Sequence, residues 1–232
     1  VKTYVHAVAC WSPTRRGPAA WRDGPDLPAP PVDAALGAGR RRATLLSRVA
    51  ADLLDQLGVV DVALVMGSAG GEYEQTFATL PLMYETPPAS SPLRFGNSVH
   101  NTAVGQLSIA TGNRRFGSAL SVRPAELAAL VLLEAALAAD ALAAPVAALW
   151  AEETWPGAAW PPLGAGLLLS GDPTGALGAL HDLRRADAPF TPDPATAGSP
   201  AAGPIALVTA LGPRPAPIAL GGGWEVQWTP TP

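Results

Sequence analysis

Covalent chemistry needs a nucleophile beside a base, and few residues of this chain could supply either. Cys10 is the single cysteine, and His6, His100 and His181 are the three histidines. Cys10 closes a strand-like run, where an unpaired thiol ordinarily serves as a small buried hydrophobe. His6 and His181 fall on strand-like segments and read as structural. His100 stands at a helix start, where its ring would bond a loop carbonyl. Ser121 has no Gly-x-Ser-x-Gly elbow, so a base would have to reach it from a distant part of the chain. Gly67-Ser68-Ala69-Gly70-Gly71 follows an apolar run but lacks the Lys-Ser/Thr of a P-loop and the Gly-x-Gly-x-x-Gly of a dinucleotide site, so it reads as a tight turn. No Cys/His group has zinc spacing, and neither metal nor cofactor is expected. The seven tryptophans are scattered, with Trp155 and Trp160 in proline-rich loops, and read as packing groups.

Composition narrows the class. Hydrophobic residues make up 48% of the 232, but charged residues only 15%, against roughly 25% in ordinary soluble domains. A surface so poor in charge calls for cover by something else. The net charge of -4 argues against nucleic acid and anionic membranes as partners. The lone cysteine rules out an internal disulfide framework and suits a reducing, cytoplasmic setting. Val1-Lys2-Thr3-Tyr4-Val5 has no secretory n-region. The longest apolar stretch, Leu127 to Leu142, carries Glu134 and Asp140, and Pro145 follows before the roughly 20 residues of a membrane span accumulate.

The elements that would position these groups alternate in type. Thr3 to Val8 reads as a strand and Ser12 to Gly39 as a long surface connection. Leu45, Leu46, Val49, Leu53, Leu54 and Leu57 recur at helical spacing within a helix expected from Arg41 to Leu57, and Gly58 stops it. Val59 to Met66 reads as a strand buried on both faces, and Glu72 to Leu82 as a helix. Thr86 to Gly96 is expected as a loop, Asn97 to Thr111 as a helix and Ser118 to Val122 as a strand. Pro124 to Ala139 is expected as a helix with proline at its favoured first position. Val146 to Ala151 and Gly166 to Ser170 add two strands, and Ala176 to Arg184 suits another. Past Asp172 the pattern weakens into a Pro/Ala-rich linker, a short helix over Pro204 to Leu211, and a terminal hairpin from Ile218-Ala219-Leu220 and Glu225-Val226-Gln227-Trp228. Strand and helix in alternation predict an α/β fold with a mostly parallel, five-stranded sheet covered by helices and a small C-terminal appendage. The segment Leu127 to Ala139 is apolar on every face except at Glu134, so the tail or another chain must cover what one sheet cannot.

Residues 92–112, PLRFGNSVHNTAVGQLSIATG, are the most specific segment. They closely resemble the Ser-Val-His-Asn-x-x-x-Gly-x-x-Ser-Ile-Ala-x-Gly stretch of the β-ketoacyl synthase-like proteins known as chain length factors. Arg40-Arg41-Arg42-Ala43-Thr44-Leu45-Leu46-Ser47-Arg48 is similar to their early helix after a basic turn. Gly71-Glu72-Tyr73-Glu74-Gln75-Thr76 is similar to their turn after a strand, where Gly-Glu-Leu is usual and Tyr73 departs from it. The three matches agree in order and spacing over about residues 1–170.

The resemblance implies the N-terminal half of a thiolase-like fold. It divides the chain into a synthase-like domain over residues 1–185, a linker over 186–203, and a short helix with a hairpin packing on the main domain over 204–232. In active synthases the strand after Ser-Ile-x-x-Gly runs into Thr-Ala-Cys-x-Ser-Gly, where a helix N-terminus activates the thiol. Here that place reads Ser118-Ala119-Leu120-Ser121-Val122-Arg123-Pro124, with Leu120 at the cysteine position. The implied role is therefore a non-catalytic subunit that partners a catalytic β-ketoacyl synthase in type II polyketide or fatty-acid-like synthesis, aryl polyene formation included, and shapes its acyl tunnel. Val99, His100, Asn101, Thr102 and Ala103, with Ser118, Ala119 and Ser121, are the implied tunnel or interface residues, and the strand over Gly117 to Ser121 is the implied pairing edge. Acyl carrier protein is the implied transient partner, with Arg40-Arg41-Arg42 and Arg114-Arg115 as a candidate contact. Two alternatives stand beside this: a lone acyl transferase or hydrolase using Ser121 or His100, and a carrier-binding scaffold.

Overall fold

The computed structural model describes residues 2–87, 89, 91–186 and 189–231. Strand β1 (Thr3–Ser12) is followed by a two-residue strand β2 (Arg15–Arg16) and a short helix α1 (Pro18–Arg22). Helix α2 (Leu45–Leu57), strand β3 (Ala63–Ser68), helices α3 (Tyr73–Met83), α4 (Pro92–Asn97) and α5 (Thr102–Thr111), and strand β4 (Gly117–Ser121) come next. Helix α6 (Leu127–Leu142), strands β5 (Val146–Glu152), β6 (Leu163–Ser170) and β7 (Gly178–Arg185), helix α7 (Ala202–Ala210), and strands β8 (Ala216–Gly221) and β9 (Trp224–Pro230) complete the order.

Period-two burial explains why β3 and β5 form the spine. Ala63 and Val65, like Val146, Ala148 and Trp150, enter a core shared with α6 and α7. Leu64 and Met66, like Ala147, Leu149 and Ala151, enter the opposite core, under α2 and α5. Side chains alternate across a strand, so an unbroken apolar run requires a helical layer on each face. The α/β class and thiolase-like layering agree with the sequence reading.

The sheet itself differs from the expected mostly parallel five strands. Its nine strands run in the order β4-β3-β5-β6-β1-β7-β9-β8, with β2 beside β1. Only β3–β4 and β3–β5 are parallel pairs, whereas β1–β2, β1–β6, β1–β7, β5–β6, β7–β9 and β8–β9 are antiparallel. A run buried on both faces reports two covering layers and carries no information on strand direction. Residues 204–232, expected as an appendage, supply α7 and the β8–β9 hairpin, and that hairpin continues the main sheet through β7.

Several boundaries shift for local reasons. Helix α2 begins at Leu45 because Thr44 caps it, its Oγ1 accepting from the Ser47 amide at 3.2 Å, while Arg40–Arg42 close a 3₁₀ turn. Part of the expected 86–96 loop is helix α4, capped by Ser91 Oγ at the Arg94 amide, 3.2 Å away; residues 88 and 90 of that loop, like residues 187 and 188 of the expected linker, lie outside the described residues. The helix expected over 97–111 breaks at Ser98–Asn101, where Ser98 Oγ donates to the Phe95 carbonyl at 2.8 Å and Thr102 Oγ1 to the Gly96 carbonyl at 2.9 Å. Pro124 opens a 3₁₀ turn and α6 itself starts at Leu127. Helix α7 covers one flank of α6, as the reading of its all-apolar face required, yet Leu137 and Leu142 stay 46% and 44% exposed.

Candidate functional site

The parallel trio β4-β3-β5 ends together at Ser121, Ser68 and Glu152. Crevices beyond the carboxyl ends of parallel strands are where α/β folds gather functional groups. The loop leaving β3, Ser68 to Glu72, fills this end and is held from several sides. Both carboxylate oxygens of Glu152 accept from its backbone, one from the Ala69 amide and the other from the Gly70 amide at 3.2 Å. The Gly71 amide donates to Ser68 Oγ at 2.7 Å. Gly71 has φ +60°, and a Cβ there would stand 2.4 Å from His100 Nδ1; a Cβ on Gly70 would stand 2.5 Å from Trp155 Nε1. Both positions demand glycine.

His100 thus lies against this loop, and its Nε2 is 3.0 Å from the carbonyl oxygen of Leu120. The sequence reading of a ring bonded to a carbonyl holds, with a strand-end carbonyl in place of a loop one. The Leu120 side chain packs, partly buried, against the α6 core. Ser121 is exposed, and among the described residues no hydrogen bond joins its Oγ to a histidine or an acid.

The candidate set is otherwise divided. Val99 is 36% exposed on the turn before α5, and Asn101 is exposed at the start of that helix. Thr102 is buried with its hydroxyl on Gly96, and Ala103 is buried in the core between α5 and α2. Ser118 and Ala119 are half-buried on β4, whose outer edge pairs with no strand among the described residues. A cavity of about 570 Å³ lined by His6, Pro145, Leu168, Ser170 and Asp172 lies away from this group, at the opposite end of β5. His6 there meets Ser170 Oγ at 2.7 Å and the Asp172 carbonyl at 3.1 Å. His181 Nδ1 meets Asp182 at 2.9 Å. Cys10 is fully buried, and that burial pushes its thiol far above the ordinary value.

Three carboxyls at the site escaped the sequence reading. Glu72, Glu152 and Glu153 are 2%, 0% and 3% exposed. Burial pushes Glu72 up to about 8 against the pull of the Thr44 hydroxyl. It pushes Glu152 up to about 7 against the Ala69 and Gly70 amides, and Glu153 up to about 6 against the Glu74 amide. Glu-Glu directly after the apolar run Val146 to Ala151 was the available signal. Among the described residues no group of three or more His, Cys, Asp or Glu side chains is placed to hold a metal ion.

The model of the β-ketoacyl synthase N-terminal domain matches residues 11–160 of the chain, more than half of it. The chain belongs to the β-ketoacyl synthase N-terminal domain family. Solved structures with the same fold include a chain of the ketosynthase (ApeO) in complex with its chain length factor (ApeC) from Xenorhabdus doucetiae. There the TM-score is 0.74 at 18% identity, over 99% of this chain and 99% of that one. The ishigamide ketosynthase/chain length factor gives a TM-score of 0.58 at 18% identity, over 81% and 68% of the two chains. The type II AntDE:AntF ketosynthase and acyl-carrier protein complex gives 0.60 at 13% identity, over 83% and 70%. No curated protein sequence matches. The thiolase-like fold of this ketoacyl synthase domain places β4 at the sheet edge and the clamped Ser68–Glu72 loop beside it. No helix among its described residues is long and apolar enough to cross a membrane.

Proposed function

We propose that this ketoacyl synthase domain is a non-catalytic, chain-length-factor-like subunit that pairs through β4 with a catalytic β-ketoacyl synthase. The pathway is type II polyketide or fatty-acid-like synthesis, with aryl polyenes as one product class. The unpaired edge of β4, ending in a leucine, carries the reading. By resemblance, Leu120 stands where a synthase holds its cysteine, and a hydrocarbon there cannot form a thioester. The near-equal length of the chain matched in the ApeO–ApeC complex supports a partnership of the same kind.

Backbone direction makes the pairing specific. The Leu64 amide donates to the Phe116 carbonyl at 2.9 Å. Because successive residues of a strand turn their amides and carbonyls to opposite sides, Ser118 and Leu120 also face β3, whereas Gly117, Ala119 and Ser121 direct theirs outward. A partner strand would bond to those three residues, with Ala119 at the centre. Exposed Phe116, Leu137 and Leu142 flank this edge and would be covered with it. The acyl chain would run between the two subunits past Val99, His100 and Asn101, so this chain contributes shape and the partner chemistry. Acyl carrier protein is the transient partner; Arg41, Arg42 and Arg114 form no ion pair among the described residues, whereas Arg40 meets Asp33 at 2.9 Å and Arg115 meets Asp61 at 3.2 Å.

The reading of a self-contained enzyme is disfavoured by His100, whose Nε2 is on Leu120 and whose Nδ1 faces Gly71. Co-expression with a catalytic β-ketoacyl synthase tests the partnership. A one-to-one heterodimer is expected, and Ala119→Pro, which removes an outward amide from an edge strand, should abolish it while the chain still folds. Pairing that survives this substitution would refute docking through β4.

A further inference from the structure

We propose that the Ser68–Glu72 loop is a proton-held clamp: protons retained on the buried, cation-free Glu72 and Glu153 carboxyls keep the loop closed on His100, and their loss in alkaline solution releases the loop and weakens pairing at β4. The clamp itself stands on the geometry of this chain, and only its effect on pairing rests on the function proposed above.

The carboxyls lack cations. No Lys, Arg or His forms an ion pair with Glu72, Glu152 or Glu153 among the described residues. Around them stand Thr44 and Ser47 of α2, Tyr73 and Glu74 of α3, the His100 ring, and Trp155 beyond β5. The charges that act on Glu72 are Glu153 and Glu74, both acidic, and Glu74 also acts on Glu153. Glu152 has each oxygen on a backbone amide, which suits the ionised form. Glu72 accepts from Thr44 Oγ1 at 2.9 Å through Oε1, and Glu153 accepts from the Glu74 amide at 2.7 Å through Oε2. Their remaining oxygens, Glu72 Oε2 and Glu153 Oε1, are buried without a partner.

Two buried carboxylates without a cation repel and forfeit hydration; retaining a proton removes one charge and turns one dangling oxygen into a donor. The raised values at Glu72 and Glu153 agree with this. Each lies above the ordinary 4.5, so the folded chain holds protons that the unfolded chain has released. The stability these groups contribute is complete at acidic pH and is lost as pH rises through about 6 to about 8. Glu72 follows Gly71 directly, so a backbone movement that carries Glu72 toward water would draw Gly71 off the His100 ring.

Thermal melting and amide exchange of residues 69–72, followed from acidic to alkaline pH on the full chain and on Glu72→Gln, test the clamp. Between the ordinary 4.5 and the Glu72 midpoint of about 8 the ratio of wild-type to variant exchange rates should grow by up to about ten-fold per pH unit and level off above it, and the melting temperature should fall more steeply in the wild type. Parallel profiles for the two proteins, or an exchange ratio independent of pH, overturn the proposal. Should Glu72→Gln fail to fold, Glu153→Gln gives the same comparison. Heterodimer affinity measured over the same range separates the two proposals: a clamp that titrates in a chain that never pairs refutes the partnership alone, and pairing with no titrating loop refutes the clamp alone.

Discussion

The imidazole Nε2 of His100 lies 3.0 Å from the main-chain oxygen of Leu120, tying the turn before α5 to the end of the edge strand. Its other nitrogen rests on Gly71, so one ring braces the β3 loop and the β4 terminus together. Removing the ring in His100→Ala should cost about 1 kcal/mol for the lost hydrogen bond, lowering the melting temperature by about 2–4 °C in a chain of this size. His100→Gln, which keeps a donor, should recover part of that. An unchanged melting temperature in the alanine variant would remove the bracing role.

Gly71→Ala should be more harmful than an ordinary glycine-to-alanine change. A left-handed φ of +60° costs alanine about 1–2 kcal/mol, and the new methyl would collide with His100 Nδ1. Chemical denaturation should show a loss above about 2 kcal/mol, and loss of pairing should accompany it. Gly105→Ala, in the middle of α5 with open space around its would-be Cβ, is the control and should be neutral or slightly stabilising.

Two candidate tunnel residues separate by substitution to phenylalanine. Ala103 is 2% exposed between α5 and α2, so Ala103→Phe should overpack that core and cost about 1–3 kcal/mol or more. Val99 stands at the surface, and Val99→Phe should leave stability intact while shortening the product made by the assembled complex. Unaltered product length would take Val99 off the acyl path.

No covalent acyl adduct is expected on the isolated chain. Its one thiol, Cys10, is fully buried with its ionisation suppressed, and among the described residues no histidine or acid is hydrogen-bonded to the Ser121 hydroxyl. Intact mass after incubation with an acyl thioester should stay unchanged, and Cys10 should resist alkylation until the chain is unfolded. An added acyl group would show that a nucleophile operates here after all.

The central layering was legible because it depends on local periodicity. Leu45, Leu46, Val49, Leu53, Leu54 and Leu57 mark a helix with one buried face, and Val59 to Met66 reads as a strand buried on both sides, although the strand itself begins only at Ala63 and Val60 is exposed. The resemblance carried by residues 92–112 singled out His100 but read it as a helix start, whereas it stands in the turn between α4 and α5, and the family match extends over residues 11–160. The sense of most strands was not legible, because β1, β6 and β7 would be equally apolar in either direction. Glu72, Glu152 and Glu153 were missed because carboxyls in sequence look solvated, and nothing local shows that β3, β5 and α3 will close over them.

By itself, then, the order of residues determined which segments are apolar on which faces, where helices start and stop, and that a hydrocarbon stands at position 120. Those properties depend on side-chain size, polarity and spacing within a few residues. Only the tertiary structure decided that β4 is an edge with Gly117, Ala119 and Ser121 facing outward, that His100 reaches Leu120, and that three buried acids gather at the ends of β3 and β5. Each of these depends on contacts between segments distant in the chain, and long-range packing sets the dielectric and the hydrogen-bond partners that no local pattern encodes.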